Sequence, residues 1–121
     1  MANTFKTVTF AAEPASAGTA YKMYTCPSST TTVVLGLVLA NIHTTAVTAE
    51  VELVSDTANR GGANNVANGT SMLVKDVTIP TGSSLEILSG SKVVMEATDE
   101  IKIDCSVADK LSGTLSIMEI S

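Results

Sequence analysis

The side chains that could do chemistry are few, and their spacing limits what they could do. His43 is the only histidine, in the turn-like stretch "NIHTTA". A Ser-His-Asp triad would need it, and serine is plentiful, but no G-x-S-x-G nucleophile elbow accompanies it. His43 therefore reads as a solvated turn residue. Cys26 and Cys105 lie far apart, lack metal-ligand spacing and each sit in a strand-like run, so they read as small buried hydrophobes. Whether the two meet is left open, because a disulfide needs a matched backbone geometry. The closest acidic residues are Asp99, Glu100 and Asp104, and their spacing fits no calcium loop. "GTSMLV" (69–74) lacks the lysine of a phosphate-cradling loop, and "NGT" at Asn68 reads as a turn. Arg60, the only arginine, could anchor a partner, since arginine is favoured at contact hot spots. Ionisable groups this sparse and scattered point away from an enzyme. No catalytic residue, metal or cofactor is expected.

The elements that would carry these residues are strands. Thr (17), Ser (13) and Val (13) dominate a chain of 121 residues that is 45% apolar and only 16% charged. Thr and Val are branched at Cβ and suit a pleated sheet better than a helix. The only aromatics are Phe5, Phe10, Tyr21 and Tyr24, so the core must be aliphatic and no stacking platform for bases or sugars is available. A net charge of −5 repels phosphate backbones, so no direct nucleic-acid partner is expected. The opening "MANTFKTVTFAAEP" lacks the apolar core of a signal peptide. The longest apolar run, Val33 to Ile42, is too short to span a bilayer. The expectation is a soluble protein made in a reducing cytoplasm, with no membrane partner.

Period-two patterns place strands at "TFKTVTF" (4–10), "TAYKMYTC" (19–26), "VTAEVELV" (47–54), "SMLVKDVTI" (71–79), "SLEIL" (84–88), "KVVMEA" (92–97), "IKIDCSV" (101–107) and "TLSIMEIS" (114–121). "TTVVLGLVLANI" (31–42) is apolar on both faces, as a central strand would be. This strand, the short "HTTA" turn and 47–54 read as an antiparallel hairpin, and 79–103 as three antiparallel strands with their turns. "ADKLSG" is a loop or one helical turn. Residues 55–70, rich in Asn and Gly, form the one long loop, of a length usually functional or mobile. Eight or nine short strands with turn signals at this spacing predict an all-β fold: a single antiparallel sandwich over 1–121, jelly-roll or immunoglobulin-like, with 1–12 as a potential extended N-terminal arm.

Two stretches carry a resemblance. "YTCPSSTTTVVLGLVLANIHTTAVTAEVELV" has a Pro-stopped strand, a strand ending in Asn41, and an alternating Thr/Val strand. "DVTIPTGSSLEILSGSKVVMEATDEIKI" has the form v.iP.Gs.l.il.g.k.vl...D.i.i, and the chain ends in "LSIMEIS". Over residues 21–121 the chain resembles small β-sandwich virion structural proteins of tailed bacteriophages, notably those infecting cyanobacteria. The resemblance implies a virion component made in a bacterial cytoplasm, with no catalytic residue to transfer. Its small size favours a capsid decoration or cement protein, a homo-oligomer (a trimer by preference) bound to the major capsid protein or other virion proteins. A tail, neck or fibre-associated protein is the alternative. A carbohydrate-binding module comes behind it for lack of tryptophan, and a small hydrolase built on His43 is last. The expected contact residues are Phe5, Val8 and Phe10 on the arm, which could add a strand to a neighbour's sheet edge, and Arg60, Asn64, Asn65 and Asn68 in the long loop. The competing reading of the first three is the opening strand of the chain's own sheet.

Overall fold

A computed structural model describes residues 2–55, 69–88 and 92–121. Nine strands are found there: β1 (Asn3–Glu13), β2 (Tyr21–Thr25), β3 (Thr31–Asn41), β4 (Val47–Val54), β5 (Thr70–Ile79), β6 (Ser84–Ile87), β7 (Val93–Met95), β8 (Glu100–Cys105) and β9 (Leu111–Ile120). Every pairing is antiparallel. The first sheet has the order β1-β9-β3-β6, with β7 beside β6 on the same edge of β3. The second has the order β2-β8-β4-β5. The described residues form no helix, and the "ADKLSG" stretch is a turn that runs straight into β9.

The pairings nest. β4 pairs with β5, β3 with β6 and β7, β2 with β8, and β1 with β9. The chain is therefore one long hairpin whose tip is the β4–β5 pair, rolled so that consecutive strands mostly change sheets, β4–β5 and β6–β7 excepted. That topology is a jelly roll. It settles the choice of sandwich type and corrects two local expectations. β3 and β4 alternate as a hairpin would, but they pair with different strands and face each other across the core. The 79–103 stretch is likewise not a meander: β6 and β7 both pair with β3, and β8 belongs to the other sheet.

The core forms where the inward-facing residues of both sheets meet. Val34, Leu37, Leu39, Leu115 and Ile117 of the first sheet pack with Val47, Val51, Ile79, Ile101 and Ile103 of the second. Each fully buried Val, Leu or Ile contributes about 1.5–3 kcal/mol relative to exposure. The polar residues buried among them are paired. Asn41 donates from Nδ2 to the carbonyls of Ile79 (2.8 Å) and Thr45 (3.0 Å), and its Oδ1 accepts the His43 N–H (2.7 Å). One amide side chain thereby ties the end of β3 to the end of β5 in the opposite sheet. Among the described residues no buried side-chain nitrogen or oxygen lacks a partner.

Candidate interaction surface

The outer faces of the two sheets differ sharply in chemistry. The face of β2-β8-β4-β5 carries Lys22, Glu50, Glu52, Lys75, Glu100, Lys102 and Asp104. Ion pairs lace it: Lys22 to Glu100 (3.1 Å), Lys75 to Glu50 (2.9 Å) and Lys102 to Glu100 (3.9 Å). Such exposed pairs contribute at most about 1 kcal/mol each, but they mark a surface made for water. On the outer face of β1-β9-β3-β6/β7, Glu86 is the one charged residue among the described strand positions.

The register of that second face brings its apolar residues into a row across four strands. Phe5 pairs with Met118, Met118 with Val33, and Val33 with Val94. Phe5 is 72% exposed and Val94 59%, so the row stands open at both ends. A bulge between Val34 and Gly36 pushes Leu35 out beside it. Next along the strands comes a row of small residues, Thr7–Ser116–Gly36, and then Thr9–Thr114–Val38–Glu86. Thr9, Ala11, Val38, Ala40, Ser112 and Thr114 line a shallow hollow there. A nearly uncharged, partly apolar sheet face of this kind has the composition of an interface centre rather than of ordinary surface.

The expected contact residues separate on this frame. β1 lies along β9 from Asn3 to Glu13, as the outermost strand of the chain's own sheet. Strand alternation sends Phe5 outward and Val8 and Phe10 inward. Val8 packs against the core, and the Phe10 ring is buried edge-on to Tyr21, with centroids 5.3 Å apart. Arg60, Asn64, Asn65 and Asn68 lie outside the described residues. Val33, Leu35, Met118 and Val94 were not singled out from sequence. For Val33 and Leu35 the signal was present in the double apolar face of 31–42, read there as the mark of a central strand. β3 is central, but its outer apolar face has no cover among the described residues.

At one end of the sandwich a polar chain runs from the surface inward. Lys6 Nζ contacts Glu119 Oε1 (2.7 Å), Tyr24 O–H donates to Glu119 Oε2 (2.5 Å), and Tyr24 and Thr32 share a hydroxyl bond (2.8 Å). Cys26 Sγ lies 3.2 Å from the Thr32 hydroxyl. A bulge between Lys22 and Tyr24 turns Tyr24 inward, against the simple alternation read from sequence. Burial first, then the Glu119 bond, pushes the Tyr24 phenol above its usual range, and burial raises the Cys26 thiol. The Lys6 bond, then the Tyr24 bond, holds the Glu119 carboxyl below the ordinary glutamate range. A depressed carboxylate stabilises the fold above its unfolded pKa, and that contribution is lost as pH falls through the folded value. Glu119→Gln is therefore expected to lower the denaturation midpoint at neutral pH and to flatten the acid limb below about pH 4. Parallel pH profiles for wild type and variant would show that Glu119 stores no such stability.

The remaining candidates are occupied by the fold. His43 sits in the turn after β3, where its carbonyl accepts the Thr81 hydroxyl (2.6 Å). Asp99 is buried and accepts the Glu96 N–H (3.0 Å), and Asp104 Oδ1 accepts the N–H groups of Gly18 (3.1 Å) and Cys105 (2.8 Å). Both cysteines are buried and free. Among the described residues no three His, Cys, Asp or Glu side chains converge as metal ligands would, and no helix is long and apolar enough to cross a membrane.

No family model and no curated protein matches the chain. Solved structures do resemble it in fold. A chain of infectious bursal disease virus, Gx strain, superposes with a TM-score of 0.52 at 14% identity, over 98% of this chain and 33% of that one. A chain of the Gt strain gives 0.40 at 13% identity, again over 98% and 33%. A chain of the Bacillus endospore appendages, described as disulfide-linked pili, gives 0.47 at 17% identity, over 99% and 87%. This chain thus spans about a third of the viral chains it matches and most of the pilus chain. At these identities the likeness concerns the fold alone.

Proposed function

We propose that this chain is a structural protein of an assembled particle, and in its finer form a capsid decoration protein of a tailed bacteriophage that binds the outer shell and stabilises it. The observation that carries the reading is the asymmetry of the two sheet faces: one charged and ion-paired, the other nearly uncharged and stepped with apolar residues. A β-sandwich of this kind can turn one face to water and the other to a neighbouring subunit. Three further points support it. The topology is a jelly roll, an architecture shared by viral capsid and lectin domains. The sequence resembles small phage virion proteins over residues 21–121. His43, the two cysteines, Asp99 and Asp104 serve turns, burial and backbone bonding, and Glu50, Glu100 and Glu119 form ion pairs. On this reading the protein is not an enzyme and takes no cofactor.

Cementing would work through repetition. One contact between folded subunits is modest, but bridging copies related by symmetry must open together, which raises their effective concentration. The partners are the major capsid protein or other virion proteins, and the site of action is the virion. Quantitative gels of intact particles test this. A copy number tied to shell symmetry is expected, and particles lacking the chain should release DNA at lower temperature. A count near that of a tail ring would place the chain at the tail or neck instead, and particles equally robust without it would end the cementing role.

A further inference from the structure

We infer that the uncharged face of the β1-β9-β3-β6/β7 sheet is occupied by a second copy of this chain, packed face to face about a two-fold axis along the Thr7–Ser116–Gly36 row. The inference rests on the reading above that this face is a contact surface, and adds the identity of the occupant.

Gly36 is the first observation. It lies inside the central strand of the sheet, its φ is not positive, and a Cβ built there would meet nothing within 4 Å. A glycine within a strand weakens it by roughly 0.5–1 kcal/mol relative to alanine, and here it closes the bulge at Val34–Gly36 and leaves the backbone bare on the outer face. A strand glycine marks a bulge or a place where another backbone comes close, and the empty space above this one leaves room for such an approach. Among the described residues nothing fills the space above Gly36.

Shape is the second observation. The face has an apolar ridge, Phe5–Met118–Val33–Val94, on one side of the Gly36 row. The hollow begins over Thr9, Thr114 and Val38, one row away on the other side, and runs on over Ala11, Ser112 and Ala40. A two-fold axis along the glycine row exchanges the two sides. It sets Val33 of one copy over Val38 of the other, Met118 over Thr114, Phe5 over Thr9, and Val94 over Glu86 at the rim. Phe5, Met118 and Val33 of each ridge then meet the near side of the opposite hollow, the kind of self-complementarity that a two-fold contact requires.

Charge and area agree. The chain carries a net charge of −5, but among the described strand positions only Glu86 stands on this face, at its rim, so two copies can meet without opposing like charges. Strands of this length, about 3.3 Å per residue and about 4.8 Å apart, give a footprint of roughly 500–600 Å² per copy. Both copies together bury more than about 1,000 Å², enough for a specific interface.

Analytical ultracentrifugation of the purified chain over micromolar concentrations tests this, with three variants. Phe5→Glu alters the most exposed ridge residue, Gly36→Val fills the space on the axis, and Lys102→Glu alters the opposite face. A wild-type dimer is expected, weakened about tenfold or more by each of the first two and unchanged by the third. Gly36→Val should dissociate the pair while the melting temperature of the monomer stays level or rises, because a β-branched residue suits an uncrowded strand. A wild type that remains monomeric, or a dimer indifferent to both face variants, overturns the inference. The particle experiment keeps the two proposals apart. A monomer whose Phe5→Glu form no longer occupies particles would refute the second copy while leaving the structural role intact. A face-dependent dimer found on no particle would do the reverse.

Discussion

Asn41→Leu is expected to lower the unfolding free energy by about 3 kcal/mol, an order of magnitude set by the cost of leaving buried polar groups unpaired. Leucine has nearly the volume of asparagine's site plus a methyl, so the loss comes from polarity more than from a cavity. Three backbone groups lose their partner together: the buried Ile79 carbonyl, the Thr45 carbonyl and the His43 N–H. Water can reach the turn that holds the last two, but the Ile79 carbonyl points into the junction of the sheets, where Ile79 is 1% exposed. In a domain of this size the loss corresponds to a melting temperature lower by roughly 10 °C. Asn41→Asp gives the complementary result. It keeps an acceptor for His43 but sets an anion against two carbonyls, so it is expected to be no better than leucine near neutral pH. Thermal or urea melts of the two variants measure this, and a loss within about 0.5 kcal/mol for leucine would mean that water replaces the amide.

Why strands were legible and their partners were not follows from what each depends on. Strand existence is local. The alternation of Val47, Ala49, Val51 and Leu53 gave the limits of β4 directly, and the other strands fell within a few residues of their observed ends. Pairing depends on distant sequence. β3 and β4 each present one apolar set inward, and that pattern is the same whether they lie side by side or face each other across a core. In a jelly roll consecutive strands mostly change sheets, so the hairpin reading of 31–54 failed although both strands were right.

Side-chain direction fails at bulges. One extra residue reverses the parity of all that follows, which carried Tyr24 inward to Thr32 and Glu119 and Leu35 out to solvent. Where no bulge intervenes, parity holds, and it separates Phe5 from Val8 and Phe10 within a group that sequence reading had treated as one. The contact face itself was half legible. An apolar run on both sides of a strand announces that both sides are covered. Whether the second cover is this chain or another is a fact about sheet layering, and only the fold supplies it.

Gly113→Ala is the second substitution with a large expected effect, and its sign depends on Phe10. Gly113 pairs with Phe10 on one side and Leu39 on the other, and a Cβ added there would run into the Phe10 ring. The ring cannot swing away freely, because Tyr21 of the opposite sheet holds it edge-on at 5.3 Å. Alanine must displace the ring, β1 or both, at a cost of about 1–3 kcal/mol from overpacking. Phe10→Ala alone should cost about 3–5 kcal/mol at most, less where the strand edge can relax. In the Phe10→Ala background the obstacle is gone, and alanine at 113 should become neutral or stabilise by roughly 0.5–1 kcal/mol, since it restricts the unfolded chain more than glycine does. Urea denaturation of the four proteins gives the cycle. Equal penalties in both backgrounds would place the constraint in the β9 backbone rather than in the ring. The same contact bears on assembly: Phe10 locks β1 onto β9, and β1 carries Phe5 at the end of the apolar ridge. Gly113→Ala should therefore also weaken association of the chain through that face, although residue 113 itself points into the core.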